Sequence, residues 1–211
     1  DHISTTIFAR FPIIKTSLDI ISDFEIIIWT TTPWTMPGNR AVAYGKDIDY
    51  SLIEVTNVGE NSLAKIGDKI IIAKELVEDV MKEISVLSFN SSNTFKGSDF
   101  AGTILAHPLN NNGYEHEVLL LEADFVTTDQ GTGFVHIAPG HGADDFELGR
   151  QNNLPIPETV SDNGILNSDL PLLGGLRVLK DNEIIADIMS EHDALIAVSY
   201  THLTLPTTLK V

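Results

Sequence analysis

The 211-residue chain contains no cysteine. Disulfides, thiolate nucleophiles and Cys-ligated zinc are excluded together, and a reducing, cytoplasmic setting is the expectation. Basic residues are scarce. Thirteen Lys and Arg stand against 30 Asp and Glu, for a formal net charge of −17 at pH 7. They are also scattered, so no basic stripe exists to grip a polynucleotide by its phosphates. Most of the surface repels a polyanion. DNA is not an expected partner, and an RNA would be touched here at one small spot. No run of about 18 apolar residues is present, which argues against a membrane-spanning helix. The opening Asp1-His2-Ile3-Ser4 lacks the basic and apolar regions of a signal peptide. It also lacks an initiator Met, so the chain reads as an excised fragment. Asn90-Ser91-Ser92 spells a glycosylation sequon but reads as a loop without a secretory signal.

What is present is ordinary globular material, 43% hydrophobic, long enough to bury a substantial core. Strands are expected at Thr5 to Ile14 and Phe24 to Thr32, the second buried on both faces by its Ile26-Ile27-Ile28 run. Further strands are read at Arg40 to Tyr44, Asp49 to Thr56, Lys69 to Ala73, Val86 to Phe89, Gly102 to His107, Val118 to Thr127 and Gly133 to Ala138. Glu75 to Ile84 reads as a helix, with Leu76, Val77, Val80, Met81 and Ile84 on one face. Asp144 opens a short helix. Asp181 or Asn182 caps a last one, with Ile184, Ile185, Ile188 and Met189 inward. Asn90 to Asn93 and Asn110 to Gly113 read as turns, and Gly164 to Gly175 as a loop. The fold class is mainly β with peripheral helices (α+β), a closed or folded-over barrel-like sheet. Residues 1–197 form one domain. Residues 198–211, "VSYTHLTLPTTLKV", contain no acidic residue and read either as an edge strand or as a non-native tail.

Two stretches carry chemistry. "WTTTPWTMPGNRAVAY", Trp29 to Tyr44, gathers hydroxyls and indoles around proline corners. "GTGFVHIAPGHGADDFELG", Gly131 to Gly149, sets His136 on a strand, His141 in a Gly corner, and Asp144 and Asp145 in a helix's first turn, where carboxylates suit the dipole. Each has a plain alternative. Taken alone, His136 reads more readily as a core histidine; the aspartates read as caps, the threonines as strand formers, the tryptophans as packing. Together they place polar groups on stiff corners at the ends of apolar strands, which costs backbone freedom and marks a site. A hydroxyl wall facing an imidazole and a carboxylate suits a small ligand bearing an ammonium.

These two stretches, about a hundred residues apart, resemble the editing domain inserted in isoleucyl-tRNA synthetases, of the Val/Ile/Leu group. Thr-Thr-Thr-Pro-Trp-Thr and His-Ile-Ala-Pro-Gly-His-Gly are the forms that point to the isoleucyl branch. The resemblance covers roughly Thr5 to Ala197. It departs at Phe134, Ile137 and Ala143, none of which carries chemistry. It implies a post-transfer editing activity that hydrolyses valine esterified to the 3′ end of tRNA(Ile), with valyl-adenylate as a second substrate. The partners implied are that 3′ end and the remainder of the synthetase. No cofactor or metal is implied. By this resemblance Asp145 pairs with the α-ammonium. His136 limits side-chain size or orients the water. Thr32 leads a wall formed with Thr30, Thr31 and Thr35, and Asn39 bonds the ribose or terminal base. Trp34 stacks or packs, and His141 and Asp144 complete the substrate-binding set. Thr32 with His136 remains open as a nucleophile pair. His-Ile-Gly-His-type and Lys-Met-Ser-Lys-Ser-type signatures are missing, so amino-acid activation is not expected of this chain. Two rivals stand beside this reading: a metal-dependent hydrolase built on His136, His141, Asp144 and Asp145, and a non-catalytic β module that binds a small amine.

Overall fold

The computed structural model describes residues 2–203, with side chains described for residues 5–200; the rest of the doubtful tail, 204–211, lies outside the described residues. The organising element is β1 (His2–Lys15). Along Ile7 to Pro12 it pairs with β2 (Glu25–Thr30). Its first half pairs with β10 (Leu195–Leu203), and its last residues with β7 (Ile104–Ala106). One strand thus joins the two halves of a single ten-stranded sheet. Beyond β2 lie β5 (Lys69–Ala73), β4 (Asp49–Val58) and β6 (Val86–Lys96). Beyond β7 lie β8 (Glu117–Glu122), β3 (Ala41–Tyr44) and β9 (Phe134–Ile137). The β2–β5 and β3–β8 pairs are parallel and the rest antiparallel.

The sheet is open, with β6 and β9 at the two ends of its strand order, and it folds over on itself. The Ala73 amide donates to Thr132 O at 2.9 Å, and the Tyr50 hydroxyl to Gly133 O at 2.7 Å. Gly133 has φ +81°, and a Cβ there would lie 2.3 Å from the Ala73 Cβ. Only glycine permits this approach. The fold-over brings β9 against β2, and the candidate site lies at that seam.

Ile26, Ile27 and Ile28 are fully buried, as expected of a central strand enclosed on both faces. Strand β2 stops at Thr30, and Pro33–Gly38 forms a 3₁₀ helix with Pro33 and Pro37 in it. Proline offers no amide to a ladder, which is why the chain leaves the sheet here. Helix α1 (Val77–Glu83) follows a 3₁₀ turn at Lys74–Leu76, and its five expected apolar residues, Leu76 to Ile84, are all buried. Helix α2 (Ala143–Gln151) starts one residue before Asp144.

Four expectations need correction. Strand β6 runs through Asn90 to Asn93, which read as a turn; most of its side chains are exposed, so no apolar alternation marked it. Strand β8 ends at Glu122, five residues early. In α3 (Asn182–Glu191), Ile185, Ala186 and Met189 are buried but Ile184 is 48% exposed. The Asp181 side chain does not cap α3; it accepts from Arg177 at 2.7–2.8 Å. The start of the segment set apart in sequence pairs in β10, Val198 opposite Ile7 and Ser199 opposite Thr6. Among the described residues no helix is long and apolar enough to cross a membrane.

Candidate functional site

At the seam, the end of β2 supplies a hydroxyl turn. Thr30 Oγ1 accepts from the Thr32 amide at 3.1 Å and shares a hydrogen bond with Thr32 Oγ1 at 3.1 Å. Thr32 O accepts from the Thr35 amide at 3.0 Å and from the Thr35 hydroxyl at 2.8 Å. The chain has left the sheet, so side-chain oxygens take over the partners a ladder would have supplied.

His136, in the middle of β9 opposite Val42, is held at both nitrogens. Asn39 Nδ2 lies 2.8 Å from Nδ1, and Thr35 Oγ1 lies 2.8 Å from Nε2. Asn39 Nδ2 also reaches Ala41 O at 2.9 Å, and a carbonyl demands a donor. The amide orientation is therefore fixed and Nδ1 accepts. Nε2 then carries the proton and donates to Thr35, whose hydroxyl passes its own proton to Thr32 O. Burial, and secondarily the neighbouring His141, bring the His136 pKa down to about 4. The ring is neutral at pH 7, and its one nitrogen lone pair, on Nδ1, is available to a water only if Asn39 lets go.

Asp145 sits in the first turn of α2, half-buried. One carboxylate oxygen accepts from the Ala138 amide at 2.8 Å, just past the end of β9. Burial pushes its pKa up, opposed by that amide and reinforced by Asp144. Ala138 is two residues beyond His136, about 7 Å along an extended chain, so the acid, the imidazole and the Thr32 turn share one end of the seam. His141 Nε2 hydrogen-bonds Thr159 Oγ1 at 2.7 Å, and its ring stands edge-on to Trp34 with centroids 5.0 Å apart. Burial lowers its pKa.

The expected residues divide by depth. Thr32, Trp34, His141 and Asp145 are half-buried at the seam, and Thr31 is exposed. Thr30, Thr35 and His136 are 9%, 6% and 9% exposed, and Asn39 is fully buried. Asn39 therefore meets the imidazole, not solvent, and lies behind His136. Asp144 is exposed and lines a separate cleft with Glu122, Asp124, Phe125 and Glu147. Thr32 reaches His136 only through its carbonyl and Thr35, so a Thr32–His136 nucleophile pair is not formed. Among the described residues no three His, Asp or Glu side chains gather as a metal site would require. Thr159, the partner of His141, carried no signal in the sequence.

A family model described as "Leucyl-tRNA synthetase, editing domain" matches residues 53–171, more than half of the chain. The chain belongs to this editing-domain family. Its match includes His136 and Asp145. Among relatives, the isoleucine–tRNA ligase of Pelagibacter ubique is 41% identical over 197 residues, covering 93% of this chain and 21% of the relative. That of Gluconobacter oxydans is 44% identical over 190 residues, covering 89% and 20%. That of Caulobacter vibrioides is 45% identical over 187 residues, covering 85% and 19%. The chain thus spans about one fifth of the length of these relatives. A crystal structure of GlLeuRS-CP1 superposes with a TM-score of 0.68 at 13% identity, covering 93% of this chain and all of that one. The editing domain of the Plasmodium falciparum cytosolic leucyl-tRNA synthetase gives 0.67 at 10% identity, covering 94% and 99%. At such identities these neighbours show a shared editing-domain fold.

Proposed function

We propose that this editing domain hydrolyses valine esterified to the 3′ end of tRNA(Ile), working beside the remainder of an isoleucyl-tRNA synthetase. A pocket that binds isoleucine rejects valine poorly. One methylene is worth about 1–3 kcal/mol, a range for which this amino-acid pair is itself the standard example. A second site must therefore exclude by size. The observation that carries the reading is the imidazole of His136, pinned at both nitrogens beside Asp145 and the Thr32 turn. A ring so held cannot retreat, which is what a wall against a larger side chain needs. Asp145 receives the α-ammonium, and the half-buried setting strengthens that pairing. Thr30, Thr31 and Thr32 form the wall on the far side. Thr35 and Asn39 serve from behind by fixing His136.

The ester is already activated, so the reaction needs a placed water and no covalent intermediate. Its attack forms a bond to the ester carbon, and the ribose oxygen leaves with a proton. The acidic surface fits a domain that receives only the 3′ end while the rest of the synthetase holds the tRNA body. Asp145→Asn retains an acceptor for the Ala138 amide and removes the charge. It should lower kcat/KM for valyl-tRNA roughly 10–100-fold, the worth of a charge-assisted hydrogen bond, with chelators leaving the wild-type rate unchanged. A rate within about twofold of wild type in the Asn variant would overturn the assignment.

A further inference from the structure

The proline-rich turn that fixes His136 has few backbone hydrogen bonds of its own. Pro33–Gly38 is a short 3₁₀ segment whose two prolines offer no amide; the Thr35 amide donates to Thr32 O at 3.0 Å and the Asn39 amide to Met36 O at 3.1 Å. The carbonyls of Met36, Pro37 and Asn39 also take side-chain donors from outside the turn. His107 is fully buried, and its Nδ1 accepts the Leu109 amide at 3.0 Å. Its Nε2 therefore bears the proton and donates to Met36 O at 2.9 Å. The ring stacks on Tyr114, with centroids 4.8 Å apart and 17° between planes. Arg40 Nη1 donates to Pro37 O at 3.2 Å and to Asn39 O. His116 Nε2 lies 3.0 Å from Asn39 O. Arg40 Nη1, which can only donate, lies 3.2 Å from the same nitrogen, so His116 is packed against both Asn39 O and the guanidinium that binds it. His107 follows β7 and His116 precedes β8, so side chains flanking those two strands grip a turn about 70 residues earlier in the chain.

We infer that His107 and His116 are positioning residues for the selectivity of this site. His107 acts by binding the carbonyl of Met36, and His116 by bracing Arg40 and Asn39 O; together they keep Thr35 and Asn39 at the spacing that locks both nitrogens of His136. Nothing about His107 or His116 touches the seam directly; they act through the turn and then through the imidazole. The inference rests on the editing reading for its consequence, though not for the geometry it describes.

The test uses this chain with His107→Leu, His107→Gln and His116→Leu. Glutamine keeps a donor near the place of Nε2, whereas leucine removes it. Deacylation of valyl-tRNA and isoleucyl-tRNA is measured with kcat and KM separated. Each leucine variant should lower the valyl-to-isoleucyl ratio of kcat about tenfold, with KM for valyl-tRNA within about twofold, and His107→Gln should restore most of the ratio. A purely structural loss would scale both substrates alike. If His107→Leu does not fold, the half-buried His116→Leu decides. In parallel, nitrogen NMR of His136 reports its tautomer without any substrate. Wild type should show a proton fixed on Nε2, and the leucine variants an averaged ring. Folded leucine variants with the wild-type substrate ratio and unchanged His136 signals would overturn the inference. Failure of the wild type to cleave valyl-tRNA would remove the editing reading and leave the NMR result to judge the positioning.

Discussion

Replacing Thr35 by valine tests how firmly the imidazole is held. The side chain keeps its shape and loses only its hydroxyl. That hydroxyl is buried between His136 Nε2 and Thr32 O, 2.8 Å from each. Thr32 O keeps the Thr35 amide as a partner, so its loss is small. His136 fares worse. Asn39 occupies Nδ1 as a donor, so the ring cannot move its proton there, and Nε2–H is left buried and unpaired. Such an orphan costs about 1–3 kcal/mol. In a domain of this length 2 kcal/mol is roughly 4–8 °C of melting temperature. Thr35→Ser keeps the relay and loses a methyl, so it serves as the control. Thermal and urea unfolding at neutral pH should show Val well below Ser, and deacylation should show isoleucyl-tRNA entering the site of the Val variant. A Val variant as stable as wild type, with the same preference for valyl-tRNA, would refute the claim that this hydrogen bond holds the wall.

Acid should weaken the fold. His136 and His107 have pKa values brought from 6.5 to about 4 and about 3 by burial. The folded state refuses a proton that the unfolded state accepts, so this stability is fully present above about pH 6.5 and is lost as pH falls toward each folded-state value. Near pH 5 each histidine should have cost about 2 kcal/mol, and urea midpoints measured from neutral pH downward should show a combined loss of about 4 kcal/mol. Asp145, with its pKa pushed up, acts in the opposite sense and trims this; a flat profile contradicts the account. Arg10→Met should cost about 3–5 kcal/mol by urea denaturation, because the buried guanidinium pairs with Glu25 and Asp68 at 2.8 Å each and leaves two carboxylates without their cation. A cost under about 1 kcal/mol would mean the pair is solvated.

Sequence marked the two cornered motifs but not the depth of their side chains. The two Gly/Pro-cornered motifs each sit at a strand end, and chemistry-bearing residues on stiff corners are visible in one dimension. The triple isoleucine run announced a strand enclosed on both faces. What did not show was which polar residue faces solvent and which faces another side chain. Thr35 read as part of the wall and Asn39 as a partner of the ribose or terminal base; both lie behind His136, because that imidazole, about a hundred residues away, is their partner. His107 and His116 carried no signal, since a histidine bonded to a carbonyl some 70 residues distant has no local pattern. The continuation of β6 beyond Phe89 escaped because its Asn and Ser side chains face water on both sides, so neither period of burial was written into it. Ile184 was placed inward on hydropathy alone, whereas the 3.6-residue stripe selects Ile185 and Met189.

The most direct measurement is deacylation of valyl-tRNA(Ile) and isoleucyl-tRNA(Ile) side by side with this chain. Selective removal of valine, at least about tenfold faster than isoleucine, is the predicted result. Equal rates on the two esters, or no cleavage of either, would contradict it.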